Sequence, residues 1–382
     1  MDRRAFLTGT AASVGAVGLS SALWSGAFAA PTDAQPGPSP YGALQPVDAQ
    51  GLRLPAGFRG RVVARSGQLV PGTDYRWHAE PDGGAVFPTS TGGWIYVSNS
   101  EVSNGLGGAS ALRFGPTGVL EKAYRILSGT NRNCSGGATP WDRWLSGEEV
   151  RRGLMYECDP RGSAAAQARP AMGRFTHEAA AVDPARRVVY LTEDEPDGLF
   201  YRFRPTVWPD LQRGVLEVAC PGSTRGSVVW RAVPDPAAVS VETRLQVSGA
   251  LRFNGGEGCY YDRDVCYFTT KGDNRVWAYR ADTSTLGTVY DAAAVTTVQP
   301  TLRGVDALTV SRLRDVYVAE DGDDMQINLI RGGTVSTFLQ ITGQSSSEVT
   351  GLAFDPEGSR MYFSSQRGST GSGITYEVRG PF

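Results

Sequence analysis

The sequence predicts an all-β fold, a six-bladed β-propeller with a metal cluster at one mouth of its central channel. Three observations predict it. A two-strand unit recurs six times, the recurrence falls near 45 residues, and each unit closes on a polar or charged residue. A period of that length with two strong strands per unit marks a four-stranded blade. Joining six such sheets in a circle removes their exposed edges. The 48 glycines and frequent Asp/Pro turn pairs suit many short strands with tight turns.

The clearest units are His177–Asp194, Glu257–Asp273, Asp306–Asp321 and Glu348–Gln366. Each reads as a strand, a turn rich in Asp, Pro or Gly, and a second strand. The stretch Asn133–Glu149 follows the same plan and turns at Pro140–Asp142. A less regular first unit runs from His78–Pro88 through a Thr-Gly-Gly turn to Trp94–Glu101. The units close at Glu101, Glu148, Glu193, Lys271, Glu320 and Gln366, with separations of 47, 45, 78, 49 and 46 residues. The long separation marks an insertion at about residues 205–250. Outer strands are legible in Gly198–Arg204 and Arg275–Arg280.

The N-terminus reads as a targeting segment. Arg3 and Arg4 precede a weakly apolar run, and Ala27-Phe28-Ala29 fits a small-residue cleavage site. The arginine pair marks a twin-arginine signal over residues 1–29, which implies the export machinery as a partner and a location in the envelope or outside the cell. Residues 30–48 are rich in proline and small polar residues and read as a flexible linker outside the core. The propeller domain is then 49–382. No other run approaches the roughly 18 apolar residues of a membrane span. The chain is expected to be a monomer.

A formal charge of −2 gives no basic footprint for nucleic acid. Lysine is scarce: only Lys122 and Lys271 occur. The five cysteines form no regular framework, so at most one disulfide is expected, with Cys134 outside it. Cys259 and Cys266 fall on two strands of one hairpin, but not opposite each other.

Antiparallel strands joined by a short turn bring their two ends side by side. In Asn133–Glu149 that places Cys134 near Glu148 and Glu149. A soft thiolate beside hard carboxylates suits a metal such as iron, although a buried structural cysteine near solvated acids reads equally well. Around a propeller axis the unit ends gather Glu101, Cys134, Glu148, Glu149, Glu178, Glu193, Glu257, Asp306, Glu320 and Glu348 as metal-ligating candidates. So many carboxylates oppose one another's ionisation, and bound cations are the usual resolution. Glu178 and Asn133 are candidates to act on substrate. His78 reads as structural, and His177 as either a mouth residue or a partner of a backbone carbonyl. Glu195, Asp197, Asp262 and Asp264 are expected in solvent.

The strings N-C-S-G-G-A-T-P-W with its E-E ending, G-R-F-T-H-E-A-A-A-V-D-P with Y-L-T-E-D, and E-G-C-Y-Y with Y-F-T-T-K-G-D-N-R-V-W resemble the PhoX family of alkaline phosphatases, from about residue 50 onward. The resemblance implies a propeller whose Fe(3+) and Ca(2+) ions hydrolyse phosphate monoesters. It implies Cys134 as the iron-bound thiolate, carboxylate ligands at Glu101, Glu148, Glu178, Glu193, Glu257 and Glu320, and a phosphate contact at Lys271. The family's Asn-His-Glu reads Asn99-Ser100-Glu101 here, and Asp306 lacks the asparagine that follows it in the family. Two rival functions are a calcium-dependent lactonase or esterase, which needs no thiolate, and a non-catalytic binding propeller.

Overall fold

The structure is a computed structural model that describes residues 33–295 and 301–382. The expected signal, residues 1–29, lies outside the described residues. Six antiparallel sheets follow one another along the chain. Their innermost strands are Pro81–Pro88, Asn133–Ala138, His177–Asp183, Gly256–Asp262, Val305–Val310 and Val349–Phe354, and each touches the next around a closed circle. We number the blades 1 to 6 in that order. Blade 6 takes its outermost strand, Arg59–Arg65, from the N-terminal side of blade 1, where it pairs with Ile374–Arg379. The six-bladed propeller expected from the spacing is therefore the fold.

The second strand of each blade is buried on both faces, because a neighbouring blade covers each side. Trp94–Ser100 and Val188–Glu193 are buried at every residue. Such strands read as near-continuous runs of aromatic and β-branched residues. Blades meet through stacked rings. Tyr96 lies 5.0 Å from Tyr362 across the closing seam, and Phe200 lies 4.4 Å from Phe268 between blades 3 and 4.

One expectation changes, and another gains detail. Residues 33–48 are not a linker outside the core. Gln35–Pro36 runs parallel to Thr334–Val335 on the outer edge of blade 5, Ala34 is buried, and Tyr41 packs edge-on against Phe58 at 5.1 Å. An outer strand exposes unpaired N–H and C=O groups, and this segment pairs them. The insertion near 205–250 also holds sheet. Asp210–Pro221 is the fourth strand of blade 3, and Val228–Ala232 is a fifth.

Candidate metal centre

Every inner hairpin is interrupted at one place. Two residues of the innermost strand oppose one residue of the second strand: Asp82-Gly83, Cys134-Ser135, Glu178-Ala179, Glu257-Gly258, Asp306-Ala307 and Gly351-Leu352. A bulge bends the strand and re-aims its side chain. In five blades the first bulge residue carries a carboxylate or a thiol, and in the sixth it is a glycine. The second residue is small in those five blades because the next blade is close. A Cβ on Gly83 would meet the Cα of Ser135 at 2.5 Å, and one on Gly258 would meet the backbone nitrogen of Leu308 at 2.7 Å.

The bulge backbone is held by the preceding blade. The Asn99 side-chain amide donates to the carbonyls of Cys134 and Ser135 at 3.1 and 2.9 Å. The Thr192 hydroxyl donates to the Glu257 carbonyl at 2.6 Å, and the Thr269 hydroxyl to the Asp306 carbonyl at 2.5 Å.

These bulges gather three groups of ligand-type atoms, each within 4.8 Å: Asp82, Glu101 and Cys134; Glu178, Glu257 and Asp306; and Asp306, Asp321 and Glu348. Lys271 Nζ lies 2.9 Å from Glu257 and 3.5 Å from Asp321. Arg132 lies 2.7 Å from Glu101 and 2.6 Å from Glu149. Arg367 lies 2.6 Å from Glu348 and 3.3 Å from Glu101. The Gln366 amide donates to Asp82 and, at 2.9 Å, to Glu101.

Three cations face eight carboxylates and a thiol, so the balance is strongly acidic. Burial, then neighbouring acids, pushes Asp82, Glu178 and Cys134 well above their usual ranges. Burial pushes Glu257 and Asp306 up as well, against the opposing pull of Lys271. Glu149 is pushed up to about 9 by burial and the Glu101 charge, although Arg132 pairs with it. Among the described residues the buried Oε2 of Glu178 has no hydrogen-bond partner. Buried acids so arranged call for cations. Hard oxygen donors with one sulfur fit iron and calcium by donor type.

Not every expected ligand joins the cluster. Glu148, Glu193 and Glu320 face Asn133, His177 and Val305 across their hairpins, one residue before each bulge. Side chains alternate along a strand, so these glutamates turn into their own blades. Each accepts the backbone N–H six residues on, from Leu154, Leu199 and Gln326 at 3.2, 3.1 and 3.1 Å. Glu193 also accepts from the Tyr201 hydroxyl at 2.7 Å. Asn133 is buried too. It accepts from Thr130 at 2.5 Å and donates to Ser146 at 3.0 Å, which leaves its side chain engaged inside the hairpin. His177 contacts the Gly173 carbonyl through Nε2 at 3.0 Å, and His78 contacts Ser98 at 3.3 Å.

Sequence reasoning missed Asp82, Arg132, Gln366 and Arg367. A signal for Asp82 existed: like Cys134, Glu178, Glu257 and Asp306, it precedes a small residue in its unit. Beyond the cluster the channel continues as a cavity of about 340 Å³, walled by small residues such as Gly84, Gly136, Ala180 and Gly258.

The family model described as Alkaline phosphatase PhoX matches residues 83–156 and 150–368, well over half of the chain. Among solved structures, PhoX of Pseudomonas fluorescens in complex with vanadate, a transition state analogue, aligns with a TM-score of 0.72 at 16% identity, over 91% of this chain and 98% of that one. A protein of unknown function from Bacteroides thetaiotaomicron aligns with a TM-score of 0.51 at 11% identity, over 84% of this chain and 76% of that one. A structural-genomics protein described as a gluconolactonase gives 0.50 at 12% identity, over 86% and 93%. No curated protein matches the sequence.

Proposed function

The chain belongs to the PhoX alkaline phosphatase family, and from that premise we propose that it hydrolyses phosphate monoesters outside the cytoplasm. In this reading it is exported by the twin-arginine route, acts as a monomer and uses iron and calcium. What supports the reading above all is the convergence of four bulge-borne acids and a thiol, Asp82, Cys134, Glu178, Glu257 and Asp306, with Glu178 Oε2 unpartnered among the described residues.

Cys134 with Asp82 and Glu101 offers a mixed sulfur and oxygen set suited to iron. Glu178, Glu257 and Asp306, with Asp321 and Glu348, offer the oxygen-only sets suited to calcium. When bound, such ions supply charge neutralisation and Lewis-acid contact to a phosphoryl oxygen. Lys271, oriented by Glu257 and Asp321, presents an ammonium to the phosphate. Arg132 and Arg367 keep 43% and 41% of their side chains exposed at the rim, and guanidinium suits bidentate contact with phosphate oxygens. Once the acids carry cations, these three side chains have less to neutralise and turn to the substrate dianion. Glu178 is proposed to act on substrate, while Asn133 holds the hairpin that carries Cys134.

The test is elemental analysis of the exported protein together with turnover of p-nitrophenyl phosphate. Bound iron and calcium, and turnover lost on chelation, are expected. A protein with calcium alone that opens lactones would favour the lactonase reading, which the gluconolactonase-like fold keeps in view. No turnover of either substrate class, with metals supplied, would favour a binding propeller.

A further inference from the structure

We infer that Cys259 and Cys266 are joined by a disulfide in the mature protein, a cross-strand link in blade 4. The inference does not rest on the phosphatase reading. Cys259 pairs in register with Phe268, and Cys266 with Tyr261, so the two cysteines sit diagonally on one face of a hairpin. Their sulfurs lie 3.3 Å apart and both residues are buried. Diagonal neighbours on one face stand farther apart than directly opposite residues, so the bond needs a small closing movement from the 3.3 Å separation of the sulfurs. The turn between them, Arg263-Asp264, has positive φ at both residues (42° and 72°), the signature of a tight two-residue hairpin turn that fixes this register.

The other three cysteines are placed elsewhere. Cys134 faces Asp82 at 3.6 Å, while Cys158 and Cys220 are buried on strands of blades 2 and 3. A route for an oxidant exists as well, because Cys259 lines the central cavity. With a small disulfide such as oxidised glutathione, each protein thiol gives up its proton. The two sulfurs bond, and two electrons pass to the oxidant, which leaves as two thiols. The link would clamp the hairpin that carries Glu257 two residues before Cys259 and Lys271 five residues after Cys266.

Tryptic mapping reads this directly, because cleavage at Arg252, Arg263 and Lys271 puts the two cysteines on different peptides. Purified full-length protein is incubated with excess oxidised glutathione, unfolded in an alkylating agent without reductant, and digested. Peptides 253–263 and 264–271 are expected as one joined species that separates on reduction, with Cys134, Cys158 and Cys220 not joined to either. The reduced protein is expected to melt at a lower temperature than the oxidised one, and Cys266→Ala to abolish that difference. Recovery of both peptides fully alkylated would overturn the inference even if the variant failed to fold.

Discussion

At the residue scale, the position of a side chain relative to its bulge decides what it does. Cys134 supplies the single sulfur among the gathered acids, so Cys134→Ala is expected to lose iron and most turnover while the far-ultraviolet spectrum stays unchanged. Elemental analysis beside a rate assay checks this. Thr192 and Thr269 touch the bulge backbones that carry Glu257 and Asp306, not the cluster itself. Thr192→Val and Thr269→Val are each expected to weaken metal binding about 10- to 100-fold, measured by competition with a chelator. Lys271→Met is expected to raise KM more than it lowers kcat, because it removes a contact with the phosphate in ground and transition states alike. Several of these side chains were legible without coordinates. Cys134, Glu178, Glu257 and Asp306 announce themselves by recurrence. Asp82 was passed over because its unit turns irregularly, and Arg132 and Arg367 because a surface arginine in an arginine-rich chain carries no pattern.

At the element scale, the hairpin explains why Glu148, Glu193 and Glu320 resemble ligands in sequence and are not placed as such. They end the second strand at the channel end, but strand alternation turns them toward the N–H groups of the following turn. One-residue alternation is visible in sequence, whereas the bulge that breaks it on the partner strand is not. Burial pushes both Glu193 and Glu320 up to about 8. Their unfolded range is near 4.5, so the folded chain binds the extra protons across that interval. The contribution of these two carboxyls to stability is therefore expected to fall as pH rises from about 4.5 towards 8, since the unfolded state binds fewer protons at them there. Melting temperature against pH checks it, and Glu193→Gln with Glu320→Gln should flatten the slope. Tyr201→Phe removes a donor from a buried carboxylate and is expected to cost about 1–3 kcal/mol in chemical denaturation. Inner strands tolerate no added bulk: a Cβ at Gly137 would lie 1.9 Å from the Ala180 carbonyl oxygen.

At the scale of the whole molecule, circular closure depends on a segment that precedes the first blade. Removing residues up to Arg65 strips blade 6 of its outer strand, and the truncated chain is expected to lose cooperative unfolding in a thermal scan. The six units and their order were legible because each contains its own strand–turn–strand pattern. The N-terminal segment was misread as a linker because its contacts with blade 5 lie almost 300 residues away in sequence. The sixth blade repeats the bulge but sets Gly351 where its siblings set an acid or a thiol. A Cβ there would lie 2.6 Å from the Tyr96 hydroxyl, and its φ is +68°. A near-hexagonal scaffold thus presents five fingers from its bulges, while blade 6 contributes Glu348 from just ahead of its inner strand. Anything seated in that grip meets blade 6 from a different strand position than the other five, and the fold alone breaks the symmetry that its own repetition created.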